Sequence, residues 1–206
     1  MFDPEAPPEL QVTRWFNTHD PLTLAGLKGR VVVLVAFQML CPGCVSHGLP
    51  QARRLYEQLS ETEVAVVGLH TVFEHHPVMT PEALEAFIHE YKWTFPIGVD
   101  TPGADEGLPK TMAAFEMRGT PSILLFDRQG RLRRHYLGQV EDIRLAAEVM
   151  AYVIEDATAP RETSVAIERR LQSTLADPGG HQHHEHGPDC NHGHEHEHGH
   201  GGHGHR

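Results

Sequence analysis

An α/β fold, a mixed sheet of four or five strands with helices on both faces, is predicted by three features of the sequence. Two apolar runs without polar interruption, VVVLVAF at 31–37 and VAVVGLH at 64–70, have the pattern of strands covered on both sides. Stretches with apolar residues three and four apart follow these runs, as helices between strands require. SILLFD and RLRRHYL, joined by Asp127-Arg128-Gln129-Gly130, read as an antiparallel hairpin, so the sheet is not wholly parallel.

The elements follow in order. After the first strand, Leu49, Ala52, Leu55 or Tyr56, and Leu59 share one helical face. After the second, Thr80 offers an N-cap with Pro81 at the first helical position, and Leu84, Phe87, Ile88 and Tyr91 line the apolar side of that helix. FPIGVD at 95–100 reads as a further short strand, and Lys110 to Met117 as a short helix ended by Gly119. Beyond the hairpin, Ile143, Ala147, Met150 and Ile154 mark a helix by their spacing, and Ile167, Leu171 and Leu175 suggest one more amphipathic helix.

Composition sets the outer limits. A chain of 206 residues with 39% hydrophobic residues holds one ordinary domain plus a tail. Of 18 histidines, eleven lie in the last 26 residues, and Asp177-Pro178-Gly179-Gly180 forms the boundary. The folded body is expected over 1–176, with its core at about 15–156 and an extra helix at about 161–175. Residues 177–206 have no aliphatic or aromatic side chain beyond that boundary to offset the entropy of folding, and read as a disordered tail. The start, MFDPEAPPELQV, has no basic region leading into an apolar run, and no stretch approaches the roughly 20 apolar residues of a membrane span. A soluble, cytoplasmic protein is the expectation. Net charge is −11, with Glu185, Asp189, Glu195 and Glu197 against Arg206 in the tail, so nucleic acid and anionic membrane are not expected partners.

Three cysteines are too few for a secreted disulfide scaffold, and in a reducing compartment a close pair is more often catalytic or metal-binding. In FQMLCPGCVSHGLPQ, Cys41 leaves the first strand where the next helix begins. Unpaired amides and the helix dipole there favour an anion, so Cys41 is placed to react as thiolate. Cys44, one turn inward, is placed to resolve a mixed disulfide on Cys41. Zinc on the pair would need two further ligands, and the body holds neither a second C-x-x-C nor an H-x3-5-H partner; His75 and His76 are adjacent, a poor geometry for joint ligation. Two inert core thiols are the other alternative, although Pro42 and Gly43 mark a turn at the surface end of a strand.

From Trp15 to about Val153 the chain resembles the thioredoxin superfamily, in its thiol–disulfide reductase and redoxin branch, which shades into peroxiredoxin-like domains of the AhpC/TSA type. The resemblance rests on LTLAGLKGRVVVLVAF, on CPGC at the strand–helix junction, on EALEAFIHEYKWTFPIGVD and on RGTPSILLFDRQGRLRRHYLG. It implies a thioredoxin-like fold for 1–176 and a thiol–disulfide oxidoreductase that needs no cofactor for its redox step. It further implies that Pro121 is a cis-proline facing the cysteines, and that the backbone of Thr120 pairs with an extended substrate segment. Glu74 in HTVFEHHP occupies roughly the place of the acidic residue that the branch carries after its second strand, where a desolvated carboxylate relays protons. A disulfide-containing protein or a small thiol compound is the implied substrate, and a thioredoxin- or glutathione-type donor the implied reductant.

Three departures stand out. Leu40 replaces the tryptophan common before the first cysteine, and Pro50 lies six residues after Cys44, one further than the family's helix-kinking proline. The peroxiredoxin pattern Pro-x-x-x-Thr-x-x-Cys, set on Cys41, meets Leu34 and Gln38. His47, one turn past Cys44, reads as a solvated helix residue.

The tail brings metal chemistry of its own. His181, His183, His184, His186, Cys190, His192, His194, His196, His198, His200, His203 and His205 are candidate ligands for zinc, nickel or copper. Alternation with glycine and glutamate in a flexible chain gives capacity without fixed geometry, unlike the unbroken histidine run of an expression tag. The main alternative function is therefore a metal-buffering or metallochaperone protein with a thioredoxin-like docking domain; peroxidase use of Cys41 is another.

Overall fold

A computed structural model of the chain describes residues 2–104 and 107–175. The chain divides into Met1–Leu175 and Ala176–Arg206, and the histidine-rich tail with all its candidate ligands lies outside the described residues.

Among the described residues six strands form one sheet: β1 (Val12–Phe16), β2 (Val31–Phe37), β3 (Val64–His70), β4 (Ile97–Asp100), β5 (Ser122–Phe126) and β6 (Leu132–Leu137), in the order β1-β4-β3-β2-β5-β6. β2, β3 and β4 run parallel, with Val31 opposite Val64 through to Phe37 opposite His70. β5 pairs antiparallel with β2, β6 with β5, and β1 with β4. The sheet thus has six strands where four or five are expected. The additional strand is β1, an edge strand whose exposed Thr13 and Arg14 break up any run of buried residues.

Every side chain of β2 and β3 is buried, because helices cover both faces. Val31, Val33, Val35 and Phe37 enter one core, which α1 (Leu49–Gln58), α2 (Pro81–Tyr91) and α4 (Asp142–Ile154) complete. Val32, Leu34 and Ala36 enter the other, against Leu24, Leu27 and the region of α3 (Lys110–Ala114). The hydroxyl of Thr80 accepts from the Ala83 amide at 3.2 Å, so α2 begins where its cap predicts. Leu84 and Ile88 are buried in its apolar face, but Tyr91 is half exposed and stacks on Trp93.

Two helices differ from expectation. α3 stops at Ala114 rather than running to Met117 and Gly119. Glu116 takes a left-handed φ of 53° there, its amide donating to Ala113 O at 3.1 Å and the Met117 amide to Met112 O at 3.0 Å. This is a Schellman stop with glutamate in the usual glycine position, and it seats Phe115 and Met117 in the core. α4 exists as predicted, but the stripe that marks it points to solvent, with Ile143 81% and Ile154 79% exposed. Its inner face is Leu145, Glu148, Val149 and Tyr152. Glu148 survives burial because it accepts from the Tyr136 hydroxyl at 2.7 Å and from Arg134 at 3.2 Å.

The last helix, α5 (Arg161–Thr174), is held by charge more than by its apolar residues. Arg133, fully buried on β6, bonds Asp127 at 3.0 Å, Glu155 at 2.9 Å and Glu168, and donates to Ser164 O at 3.2 Å. Burial opposes its charge, but Glu155, Glu168 and Asp127 outweigh that and hold the guanidinium ionised. No helix among the described residues is long and apolar enough to cross a membrane.

The inner face of α4 is open to test by denaturant unfolding. Leu145→Ala should cost about 2–5 kcal/mol as a core truncation, whereas Ile154→Ser should stay within about 0.5 kcal/mol as an exposed change. The reverse ranking would return α4 to the face its spacing suggests.

Candidate active site

β2 delivers the chain to the surface at Gln38–Leu40, and helical turns start at Pro42. Cys41 is the residue at that junction. The Cys44 and Val45 amides both donate to Cys41 O at 3.1 Å, and the Cys44 amide also lies 3.2 Å from Cys41 Sγ. The sulfur therefore caps the helix in the manner of a serine or aspartate oxygen. Cys41 is half-buried and Cys44 is fully buried, both as free thiols.

The helix start also explains the late Pro50. Cys44–Gly48 forms a single π-helical turn, in which the Leu49 amide donates to Cys44 O, and α1 follows directly. One extra residue in that turn shifts Pro50 back into the first turn of α1, where a missing amide donor costs nothing.

Opposite the pair, the Thr120–Pro121 bond is cis, as the resemblance implies. The pyrrolidine ring rests against Gly43 and Gly48; a Cβ at Gly48 would meet Pro121 Cβ at 3.1 Å. Thr120 touches both sulfurs. Its carbonyl accepts from Cys41 Sγ at 3.4 Å, and its hydroxyl reaches Cys44. Burial, followed by a hydrogen bond with Cys41, pushes the Cys44 thiol up to about 12, against the pull of the Gln38 amide and the Thr120 hydroxyl. The two thiols are thus unequal: one stands at the surface on a helix cap, the other is sealed beneath it.

Glu74 is brought to the site, but not as a desolvated carboxylate: it is exposed, and its Oε1 accepts from Gln38 Nε2 at 3.3 Å. Gln38 itself is 1% exposed and takes the Phe73 amide on its other amide atom at 3.3 Å. His47 lies outside this cluster, bonded to Ser46 Oγ at 2.6 Å and Gln139 Nε2 at 2.9 Å. Sequence reasoning does not find His70, which is 1% exposed opposite Phe37 with neither ring nitrogen partnered among the described residues. Burial pushes it down to about 4. A neutral, buried imidazole beside a phenyl ring at 5.3 Å behaves as an aromatic core residue, and nothing in its spacing sets it apart from the apolar run it ends. No group of three or more metal-ligating side chains occurs among the described residues.

Residues 5–135 match the model of the AhpC/TSA family. Of solved structures, a thioredoxin-like superfamily protein is 56% identical with a TM-score of 0.71, covering 74% of this chain and 97% of its own. A thiol-disulfide isomerase from Corynebacterium glutamicum is 47% identical with a TM-score of 0.71, covering 74% of this chain and 98% of its own. StoA from Bacillus subtilis, at 21% identity and a TM-score of 0.54 over 69% of this chain and 97% of its own, shares the fold. No curated protein matches the chain.

Two outcomes follow from the unequal burial. Alkylation mapped by peptide should modify Cys41 at neutral pH and spare Cys44 until the pH nears 12 or the chain unfolds; equal labelling of the folded protein would contradict the site. His70, with its folded value near 4 below the ordinary 6.5, binds a proton more readily when unfolded. Its contribution to stability is therefore complete above 6.5 and lost as pH falls toward 4, and His70→Phe should flatten the unfolding free energy across that window.

Proposed function

The chain belongs to the AhpC/TSA family, and on that footing we propose that it is a thioredoxin-like thiol–disulfide oxidoreductase working through Cys41 and Cys44. The observation that carries the reading is the hydrogen bonding that ties the two cysteines together at the helix start. Cys41 Sγ receives the Cys44 amide at the exposed start of a helix, while the Cys44 thiol waits in the core one turn below.

The chemistry follows from that inequality. Cys41 thiolate attacks one sulfur of a substrate disulfide, and the other sulfur leaves as a thiolate. Cys44 then gives up its proton and attacks Cys41 Sγ, releasing the second substrate thiolate and closing a Cys41–Cys44 disulfide. Two electrons pass from the pair to the substrate, and a thiol donor of the thioredoxin or glutathione type restores both thiols. In the mixed disulfide Cys41 carries no proton or charge, so only burial still holds the Cys44 proton in place. Thr120 donates from its hydroxyl to the Cys44 sulfur as charge develops there, and its main chain is the element a substrate strand would pair with. Leu40, 58% exposed, and Leu137, 57% exposed beside Gly119, give that strand apolar neighbours.

Peroxidase use of Cys41 is not favoured. Leu34 stands where a peroxiredoxin proline would, with its side chain in the core on the far face of the sheet, and Gln38 replaces the threonine hydroxyl. The histidine-rich tail is a separate proposal resting on composition: it takes up zinc, nickel or copper through its imidazoles and Cys190. Metal titration of the full chain beside a chain ending at residue 176 tests it, with uptake following the tail and disulfide reduction staying with the body.

For the redox centre the test is reduction of a chromogenic disulfide. Cys41→Ser should abolish turnover, and Cys44→Ser should stop after one step with the substrate thiol retained on Cys41, visible by mass. Turnover by Cys41→Ser at the wild-type rate would overturn the assignment.

A further inference from the structure

All five side chains of β5, SILLF, are buried, and four of them are apolar. The exception, Ser122, stands between Ala36 and Leu137 of the neighbouring strands and is 0% exposed. A hydroxyl in that setting is costly unless a hydrogen bond offsets its burial. The bond runs back three residues, with Ser122 Oγ donating to Gly119 O at 2.8 Å. Gly119 O and the Thr120 N–H belong to one peptide plane, and because that peptide is trans the two groups point in opposite directions. Drawing the carbonyl in toward β5 therefore turns the Thr120 amide outward, and this amide has no hydrogen-bond partner among the described residues. The next two carbonyls are already engaged, Thr120 O by Cys41 Sγ at 3.4 Å and Pro121 O by the Gly138 amide at 2.7 Å. Glycine at 119 lets its peptide turn either way. Among the described residues, the Ser122 hydroxyl is the group that holds it in one orientation.

We propose that Ser122 is a positioning residue for substrate binding, a latch that keeps the Thr120 amide facing out so that a main-chain carbonyl of the substrate accepts from it. The substrate this selects is a disulfide carried on an extended polypeptide, which brings peptide carbonyls beside its sulfur. A small disulfide without a carbonyl gains nothing from the latch, so the two classes are told apart by a bond only one of them can make. The inference rests on the thiol–disulfide reading given above and on strand pairing at Thr120.

Two disulfides separate binding from chemistry. The full chain carrying Cys190→Ser, reduced beforehand and held in excess, is mixed with the symmetric disulfide of N-acetyl-Ala-Ala-Cys-Ala-Ala-amide or with dipyridyl disulfide, which has no carbonyl. Ser122→Ala should raise the half-saturating concentration for the peptide about five- to tenfold, as loss of one well-placed hydrogen bond does. Its limiting rate with the peptide, and its rate with dipyridyl disulfide, should both stay within about twofold of the parent. Ser122→Thr and Ser122→Val share a shape and differ in the hydroxyl, so the threonine variant should bind the peptide as the parent does and the valine variant as Ser122→Ala does. That pair decides the matter should Ser122→Ala fail to fold. Unchanged peptide saturation in a folded Ser122→Ala chain, equal slowing with both disulfides, or threonine and valine variants that behave alike would overturn the inference. Failure of the Cys190→Ser parent to reduce either disulfide would instead overturn the thiol–disulfide reading itself.

Discussion

The Cys44 amide pointing at Cys41 Sγ, 3.2 Å away, is the contact on which the rest of the molecule converges. A helix start leaves amides without partners, and a sulfur placed there both satisfies one and gains from its polarity. Everything needed to put it there is visible upstream. β2 is buried on both faces, so it cannot slide; it ends at Phe37, and the three residues before Cys41 carry the chain out to the cap. Thr120 and Pro121 close over the same turn, with Gly43 and Gly48 leaving room for the ring.

Burial works in opposite directions at the two ends of the domain. At the cysteine pair it raises the cost of a charge on Cys44 and so makes two chemically identical side chains unequal. Beneath α5 it surrounds Arg133 with carboxylates and secures a helix that has little apolar surface to offer, its only fully buried residue being Ser164. Buried ion pairs of that kind add little net stability against an apolar alternative, but removing one partner leaves an expensive charge behind. They fix where α5 can sit, which apolar contacts alone would leave open.

Much of this was legible in the residues themselves. Unbroken β-branched runs reveal β2 and β3, Thr80-Pro81 reveals the start of α2, and Asp127 to Gly130 the hairpin, because each has a local physical cause. The misses share a cause too: they depend on partners distant in sequence. β1 is a strand only because β4 supplies its hydrogen bonds. The inner face of α4 includes Glu148 and Tyr152, which pattern counting scores as polar, so the apolar stripe that betrays the helix turns out to be its outer side. Gln38 reads in the sequence as a departure from the peroxiredoxin pattern, and only the nearness of Phe73 and Glu74 explains how its buried amide is satisfied. Pro50 reads as misplaced until the π-helical turn absorbs the extra residue.

The central claim is that Cys41 and Cys44 are one redox unit. A redox titration of the full chain against defined thiol–disulfide buffers, with the oxidised form mapped by peptide mass, tests it most directly. The account predicts a reversible two-electron transition that ends in a Cys41–Cys44 disulfide. Cysteines that remain reduced across the titration, or that oxidise singly without joining each other, would contradict it.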